Sequence, residues 1–295
     1  GKRLREALRA ALKIPSEMAI LLGNGSDEII QMLCLTLAKP GLKVLSVDPG
    51  FVMFRLIARF AGMDYVGIPL QEGDFALDKK AVLAGLARER PVLTFLAYPN
   101  NPTGNLFEAE DLAEIIAAAP GLVVVDEAYA PFTDASFMDR LGDWPNLLVM
   151  RTLSKMGLAG LRLGLLAGPS AWLDQVDKTR LPYNINVLTQ VSTAFVLGHK
   201  ARFDEQTHLI RQERQRLFDA LTALPGLHPY PSQANFVLVR VPVGRADAIF
   251  QALKSQGILI KNLNGAHPLL ADCLRVTVGT PEENDIFLAK LQASL

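Results

Sequence analysis

Cysteine, tryptophan and histidine are scarce in this chain: two, two and four among 295 residues. Cys34 and Cys273 lie far apart, each in an apolar context. A disulfide framework is therefore excluded, and two buried free thiols in a reducing compartment are expected. His199, His208, His228 and His267 are scattered and do not form the His/Cys spacing of a zinc site, so no metal is expected. Net charge is missing as well, since thirty Lys and Arg balance thirty Asp and Glu. Without a basic block or a basic-aromatic stripe, neither nucleic acid nor a membrane surface is an expected partner. No apolar run approaches the ~20 residues that cross a bilayer, and no signal peptide opens the sequence. The cytoplasm is the expected location. The sequence also lacks internal repeats, low-complexity tracts and an initiating methionine: it begins at Gly1 and runs straight into a helix. An N-terminal segment is expected to be missing.

Apolar mass is abundant. Half the residues are hydrophobic and a fifth are charged, enough for a sizeable core, and the length predicts two domains or one large domain with an appendage. Leu4, Leu8, Ala11 and Leu12 recur at helical spacing and predict an amphipathic helix over Arg3–Lys13, ended by Pro15. After the short run Ala19–Leu22, strands and helices alternate. Strands are predicted at Lys43–Val47, Tyr65–Pro69, Val92–Ala97, Leu122–Val125, Leu147–Met150 and Gly164–Gly168. Helices are predicted at Ile29–Leu37, Val52–Ala61, Asp78–Arg88, Glu108–Ala118, Ala171–Lys178 and Val187–Leu197. Near-continuous apolar strands between amphipathic helices imply an α/β fold with a mostly parallel sheet covered on both faces. A long charged helix, about Lys200–Leu224, is broken by Pro225-Gly226. The domain boundary is placed in it, giving a large unit 1–205 and a small α+β unit 206–295. The small unit is expected to hold strands Asn235–Val241, Ile258–Lys261 and Leu274–Val278, and helices Arg245–Gln256 and Glu282–Leu291.

In a parallel α/β sheet ligands sit beyond the carboxyl ends of the strands, so the residues that follow each strand carry the functional reading. They are Tyr98-Pro-Asn-Asn101-Pro-Thr-Gly104, Asp126-Glu-Ala-Tyr129 and Arg151-Thr-Leu-Ser-Lys155-Met-Gly-Leu-Ala-Gly-Leu-Arg162. Each has a simpler structural explanation: a turn, a helix cap, a polar loop. Gly23-Asn-Gly-Ser-Asp-Glu28 can likewise be pure capping or an anion cradle at a helix start; it does not match GxGxxG, because Glu28 stands at the third glycine. Together, a lysine after a strand end and the hydroxyls and arginine near it suit a cofactor that carries both an aldehyde and a phosphate.

The set, in this order and spacing, resembles the fold-type I pyridoxal-phosphate (PLP) enzymes of the aminotransferase class I/II family, and within it the histidinol-phosphate branch. The resemblance extends over essentially all 295 residues and includes Gly160-Leu-Arg162 and Leu274-Arg-Val-Thr-Val-Gly-Thr-Pro-Glu-Glu-Asn284. It implies a PLP-dependent aminotransferase of histidine biosynthesis, a homodimer, acting on a small-molecule amino donor and 2-oxoglutarate. Lys155 would carry the cofactor through a Schiff base and shuttle the proton at the substrate Cα. Asp126 would keep the pyridine nitrogen protonated, and Asn101 and Tyr129 would donate to the ring oxygen. Phe51 would stack on the ring, a place often held by Tyr in the family; a core aromatic is the alternative. Backbone N–H groups at Ser26 and Asp27, with Thr152, Ser154 and Arg162, would bind the phosphate. Arg275 would bind the substrate α-carboxylate beside Asn101. Lys261, standing where the family places an arginine, would meet the substrate phosphate as a point charge.

The sequence departs from the family pattern in two further ways: Met156–Ala159 is one residue shorter than the common form, and the N-terminal arm is absent. Rival readings on the same scaffold are an aromatic or aspartate-type aminotransferase and a threonine-phosphate decarboxylase. A ligand-sensing regulator is the non-catalytic alternative, and it would need a DNA-binding segment that these residues do not show.

Overall fold

Strands that are apolar at nearly every position must be buried on both faces, and the computed structural model, which describes residues 2–295, shows what covers them. In chain order the first part runs α1 (Lys2–Leu12), β1 (Ala19–Gly23), α2 (Ser26–Leu37), β2 (Lys43–Asp48), α3 (Val52–Phe60) and β3 (Asp64–Pro69). It continues through α4 (Lys79–Glu89), β4 (Leu93–Ala97), α5 (Ala109–Ala118), β5 (Leu122–Asp126), β6 (Leu147–Thr152) and β7 (Gly164–Gly168). These strands form a seven-stranded sheet in the order β1-β7-β6-β5-β4-β2-β3. Only β7 runs against its neighbours; the other adjacent pairs are parallel.

Alternation along β5 divides the core. Leu122 and Val124 share one face with Phe95 of β4 and with Ile29 and Phe54 from α2 and α3. Val123 and Val125 share the other with Leu8, Leu86 and Leu112 from α1, α4 and α5. Each side chain of this kind, once fully buried, contributes about 1.5–3 kcal/mol. Because β3 and β4 flank β2 on opposite sides, the chain reverses direction across the sheet at β2. A crevice opens at such a reversal, outside the carboxyl ends of the strands.

The second part comprises α6 (Ser170–Val176), α7 (Val187–Leu197), α8 (Lys200–Ala223), β8 (His228–Pro229), β9 (Phe236–Arg240), α9 (Ala246–Ser255), β10 (Lys261–Asn262), β11 (Cys273–Thr277) and α10 (Pro281–Gln292). Its small antiparallel sheet has the order β10-β11-β9-β8. Val237, Val239 and Val276 of that sheet pack with Leu217 and Leu221 of α8 and Phe287 of α10. α10 starts in a capping box, in which Thr280 and Glu283 satisfy each other's backbone N–H. Residues 205 and 206 both lie inside α8. The middle of that helix is tied to the large unit, through Arg211 to Asp134 and Arg214 to Phe132 O.

Two predicted elements need correction. Ile258–Lys261 is not a strand; only Lys261 and Asn262 pair with β11. After Gly257 (φ 81°) the chain folds back on α9, Ile258 N donating to Leu253 O at 3.0 Å, and Leu259 is exposed. The apolar run therefore plugs the end of a helix. Conversely β6 runs past its predicted end at Met150, because Arg151 and Thr152 find partners in Leu165 and Gly164 of the antiparallel β7.

Candidate active site

A cavity of about 210 Å³ lies at the crevice, bounded by the ends of β4, β5 and β6, the start of α2 and the residue before α3. It is lined by Ser26, Asp27, Phe51, Asn101, Asp126, Tyr129, Thr152, Ser154, Lys155 and Arg162. Every residue expected to hold the cofactor is therefore brought to one space. Ligand pockets usually span roughly 300–1,000 Å³, so this smaller one suits a single flat ring with a short anionic tail.

Asp126 is the last residue of β5 and only 4 % exposed. Its Oδ1 accepts from Ala128 N at 3.0 Å, and among the described residues it forms no ion pair. Burial raises its pKa from 3.8 to about 7, although Lys155 pulls the other way. A buried carboxylate facing a cavity without an ion-pair partner is matched by a ligand that brings a positively charged N–H. Lys155 stands in a 3₁₀ turn, Ser154–Met156, its Nζ 5.2 Å from the Tyr129 ring centroid. Burial, then the Arg275 charge, lowers its pKa, which raises the fraction of neutral, nucleophilic amine. The Tyr129 hydroxyl is pushed up to about 12 by burial, so it stays a donor.

The start of α2 is built to receive an anion. Gly25, at the N-cap with φ 82°, offers no side-chain cap, which leaves the first-turn N–H groups free for a ligand. A Cβ on Gly25 would meet Arg162 Nη2 at 2.8 Å, and one on Gly164 would strike Ser26 N at 2.8 Å. Both glycines are needed for this close approach. Thr152 Oγ1 donates to Ser154 Oγ at 2.9 Å, and Ser154 N donates back to Thr152 Oγ1 at 3.2 Å. Glu28 faces away from the cavity and accepts from Asn24 N at 2.7 Å and from Asn184 Nδ2 at 2.8 Å. Glu28 thus ties down the loop before α2, while Ser26 and Asp27 line the cavity.

Arg275, on β11, is not among the residues that line the cavity, but it touches Asn101, which is. Its Nη1 donates to Asn101 Oδ1 at 2.5 Å, its Cζ lies 4.8 Å from the Phe236 ring centroid, and its buried Nε has no partner. Lys261 is directly opposite Arg275 across the β10–β11 pair, on the same face, but it is exposed and lies outside the cavity lining.

Three scaffolding features escaped the sequence reading. Asn100 is fully buried and holds the loop through Pro49 O and Thr103 Oγ1, at 3.0 and 2.7 Å. Gly104 (φ 81°) touches the small unit: a Cβ there would lie 2.5 Å from Ser232 Oγ, while Gln233 N donates to its carbonyl at 2.7 Å. Glu127 and Arg151 pair on the far side of the sheet. The alternation of side chains along a strand was the available signal for this last pair. Among the described residues no group of three or more His, Cys, Asp or Glu could hold a metal ion.

Residues 2–291 match the model of the family described as aminotransferase class I and II. The chain is 55 % identical over 293 residues to histidinol-phosphate aminotransferase 2 of Nitrosococcus oceani, covering 99 % of this chain and 81 % of that protein. It is 53 % identical over 292 residues to histidinol-phosphate aminotransferase of Chromobacterium violaceum, with 99 % and 81 % covered. Among solved structures it is similar to histidinol-phosphate aminotransferase from Sinorhizobium meliloti in complex with pyridoxal-5'-phosphate. That match has a TM-score of 0.89 and 30 % identity, covering 99 % of this chain and 80 % of the other. The cavity, its lysine and its anion cradle thus sit on a chain that belongs to the aminotransferase class I and II family.

Proposed function

We propose that this protein is a PLP-dependent aminotransferase that moves the amino group of histidinol phosphate to 2-oxoglutarate, in histidine biosynthesis. The observation that carries the reading is the convergence of Lys155, a cation-seeking Asp126 and an uncapped helix start on one cavity. When bound, the cofactor supplies an aldehyde that condenses with amines and a protonated ring that withdraws electrons from the substrate Cα.

The chain's residues supply the rest. The N–H groups at Ser26 and Asp27, the hydroxyls of Thr152 and Ser154, and Arg162 bind the phosphate. Asp126 holds the proton on the ring nitrogen. Asn101 and Tyr129 orient the ring through its oxygen, and Phe51 covers a face. Lys155 Nζ would take the proton from the substrate Cα and deliver it to the carbon that was the cofactor's aldehyde, work suited to an amine of lowered pKa. Arg275, with one edge held by Asn101 and its Nε free, offers its fork to the α-carboxylate of the keto acid. Histidinol phosphate has no carboxylate, and Lys261 meets its phosphate ester. In this reading 1–205 holds the cofactor, and 206–295 brings Arg275 and Lys261.

Mixing the loaded protein with histidinol phosphate alone should bleach its visible absorbance, and 2-oxoglutarate should restore it. Aspartate or phenylalanine bleaching it faster would move the assignment to a rival aminotransferase. Carbon dioxide release from threonine phosphate without a keto acid would move it to the decarboxylases.

We infer that a second copy covers α7. Val187, Leu188, Val191 and Phe195 are 71, 78, 63 and 67 % exposed and form one helical stripe. Thr189, on the opposite and buried face of the same helix, donates to Leu161 O at 3.0 Å, next to Arg162, so the helix that carries the stripe is anchored beside the phosphate cradle. Val191→Glu should raise the dimer dissociation constant by about tenfold or more in analytical ultracentrifugation; an unchanged sedimentation profile would exclude this face. A cytoplasmic location accords with the buried thiols, Cys34 and Cys273, whose pKa values burial pushes to about 12 and about 11.

A further inference from the structure

β5 and β6 run side by side, with Asp126 opposite Met150 and Glu127 N donating to Met150 O at 2.8 Å. Side chains alternate beyond that point. Asp126 lines the cofactor cavity, Glu127 and Arg151 line a second cleft of about 640 Å³, and Thr152 borders both. The two strand ends that carry the chemistry on one side therefore carry an ion pair on the other.

That pair is completely hydrogen-bonded. The Glu127 side chain is fully buried, and its Oε2 accepts from Arg151 Nη2 at 2.7 Å and Nε at 2.8 Å. Ser136 Oγ lies 3.0 Å from both carboxylate oxygens, and Phe137 N donates to Oε1 at 2.5 Å. Arg151 also donates to Ser136 Oγ at 2.9 Å and to Leu12 O at 3.4 Å. Of the other charges around the cleft, Arg211 pairs with Asp134 and Lys200 with Asp204. A buried ion pair is weak evidence for stability, since apolar residues of the same volume usually serve as well. What two guanidinium donors converging on one carboxylate oxygen add is geometry: the pair of bonds fixes distance and angle together.

We propose that Glu127 and Arg151 are positioning residues, a clasp that sets the spacing between Asp126 and the Thr152–Lys155 turn from the opposite side of the sheet. The proposal rests on the reading of the cavity as the PLP site. Misplacement of about 1 Å can cost on the order of a hundredfold in rate, so the clasp is expected to show in catalysis and not only in folding.

The test uses the loaded protein and three variants. Arg151→Lys keeps the charge and loses the fork, Glu127→Gln keeps the shape and loses the charge, and Ser136→Ala removes the shared hydroxyl. Each is measured for PLP dissociation constant, for kcat and KM, and for the pH midpoint of the visible band of the Lys155-bound cofactor. Asp126, Asp27, Tyr129 and Arg275 also face that amine electrostatically, and none of them is altered. Urea unfolding monitors the fold. For Arg151→Lys we expect a folded protein with PLP bound about tenfold more weakly and kcat down about 10- to 100-fold. KM for the amine should stay within about threefold, and the midpoint should be displaced by about half a pH unit or more. Ser136→Ala should move the same quantities in the same direction, less far. Folded variants with wild-type affinity, midpoint and kcat would overturn the clasp. If Glu127→Gln does not fold, the other two decide. Wild-type protein that takes up no PLP would sink the parent reading and the clasp with it, whereas normal uptake with unchanged variants sinks the clasp alone.

Discussion

Lys155→Ala is expected to fold like the wild type and to lose turnover by about 10⁴-fold, the upper end of what a positioned acid–base group contributes. Folding should survive because Lys155 forms no hydrogen bond or ion pair among the described residues, and its Nζ lies 5.2 Å from the Tyr129 ring centroid. Removing the amine leaves the phosphate cradle intact, so PLP should still bind, but reversibly and without the visible band of a lysine-linked cofactor. The check is paired: circular dichroism and urea unfolding for the fold, single-turnover kinetics for the chemistry. Turnover within about tenfold of wild type would give the proton transfer to another group.

Asp126→Asn should have the second-largest effect, a loss of about a hundredfold or more in kcat, because a neutral amide cannot hold the ring nitrogen protonated. The same variant carries a stability signature in the cofactor-free protein. Asp126 has a folded pKa of about 7 against an ordinary 3.8. The folded state thus keeps a proton that the unfolded chain releases between those values. Its contribution is fully present below pH 3.8 and is lost as pH rises through about 7. Relative to Asp126→Asn, cofactor-free wild type should therefore weaken from pH 4 to pH 8, by on the order of a few kcal/mol. Bound PLP supplies the missing counter-charge and should flatten the slope. Parallel pH profiles for the two cofactor-free proteins would show that Asp126 is not desolvated as described.

Much of this was legible in the sequence, for physical reasons that differ between elements. β4, β5 and β6 announce themselves because burial on both faces forces continuous apolar runs, and the polar residues after them then have to lie on one edge. Asp126, Asn101 and Lys155 were found that way. Arg275 was identified only through the resemblance, since a strand-end arginine has no local signature. Ile258–Lys261 misled because periodicity reports burial and not the partner: Ile258 and Ile260 pack against the small unit's core without a ladder. Glu127 and Arg151 stood within recognised motifs, but their pairing depends on the register between β5 and β6, which local sequence does not show. The exposed stripe of α7 has the same composition as a buried one, so no count of apolar residues could say which way it faces.

The central claim is that one amine in this fold, beside one carboxylate and one anion cradle, carries the cofactor. Loading the protein with PLP, reducing it with borohydride and mapping the modified peptide by mass spectrometry tests this most directly. The account predicts a single pyridoxyl group on Lys155 Nζ. A label on any other lysine, or no label after saturating PLP, would contradict it.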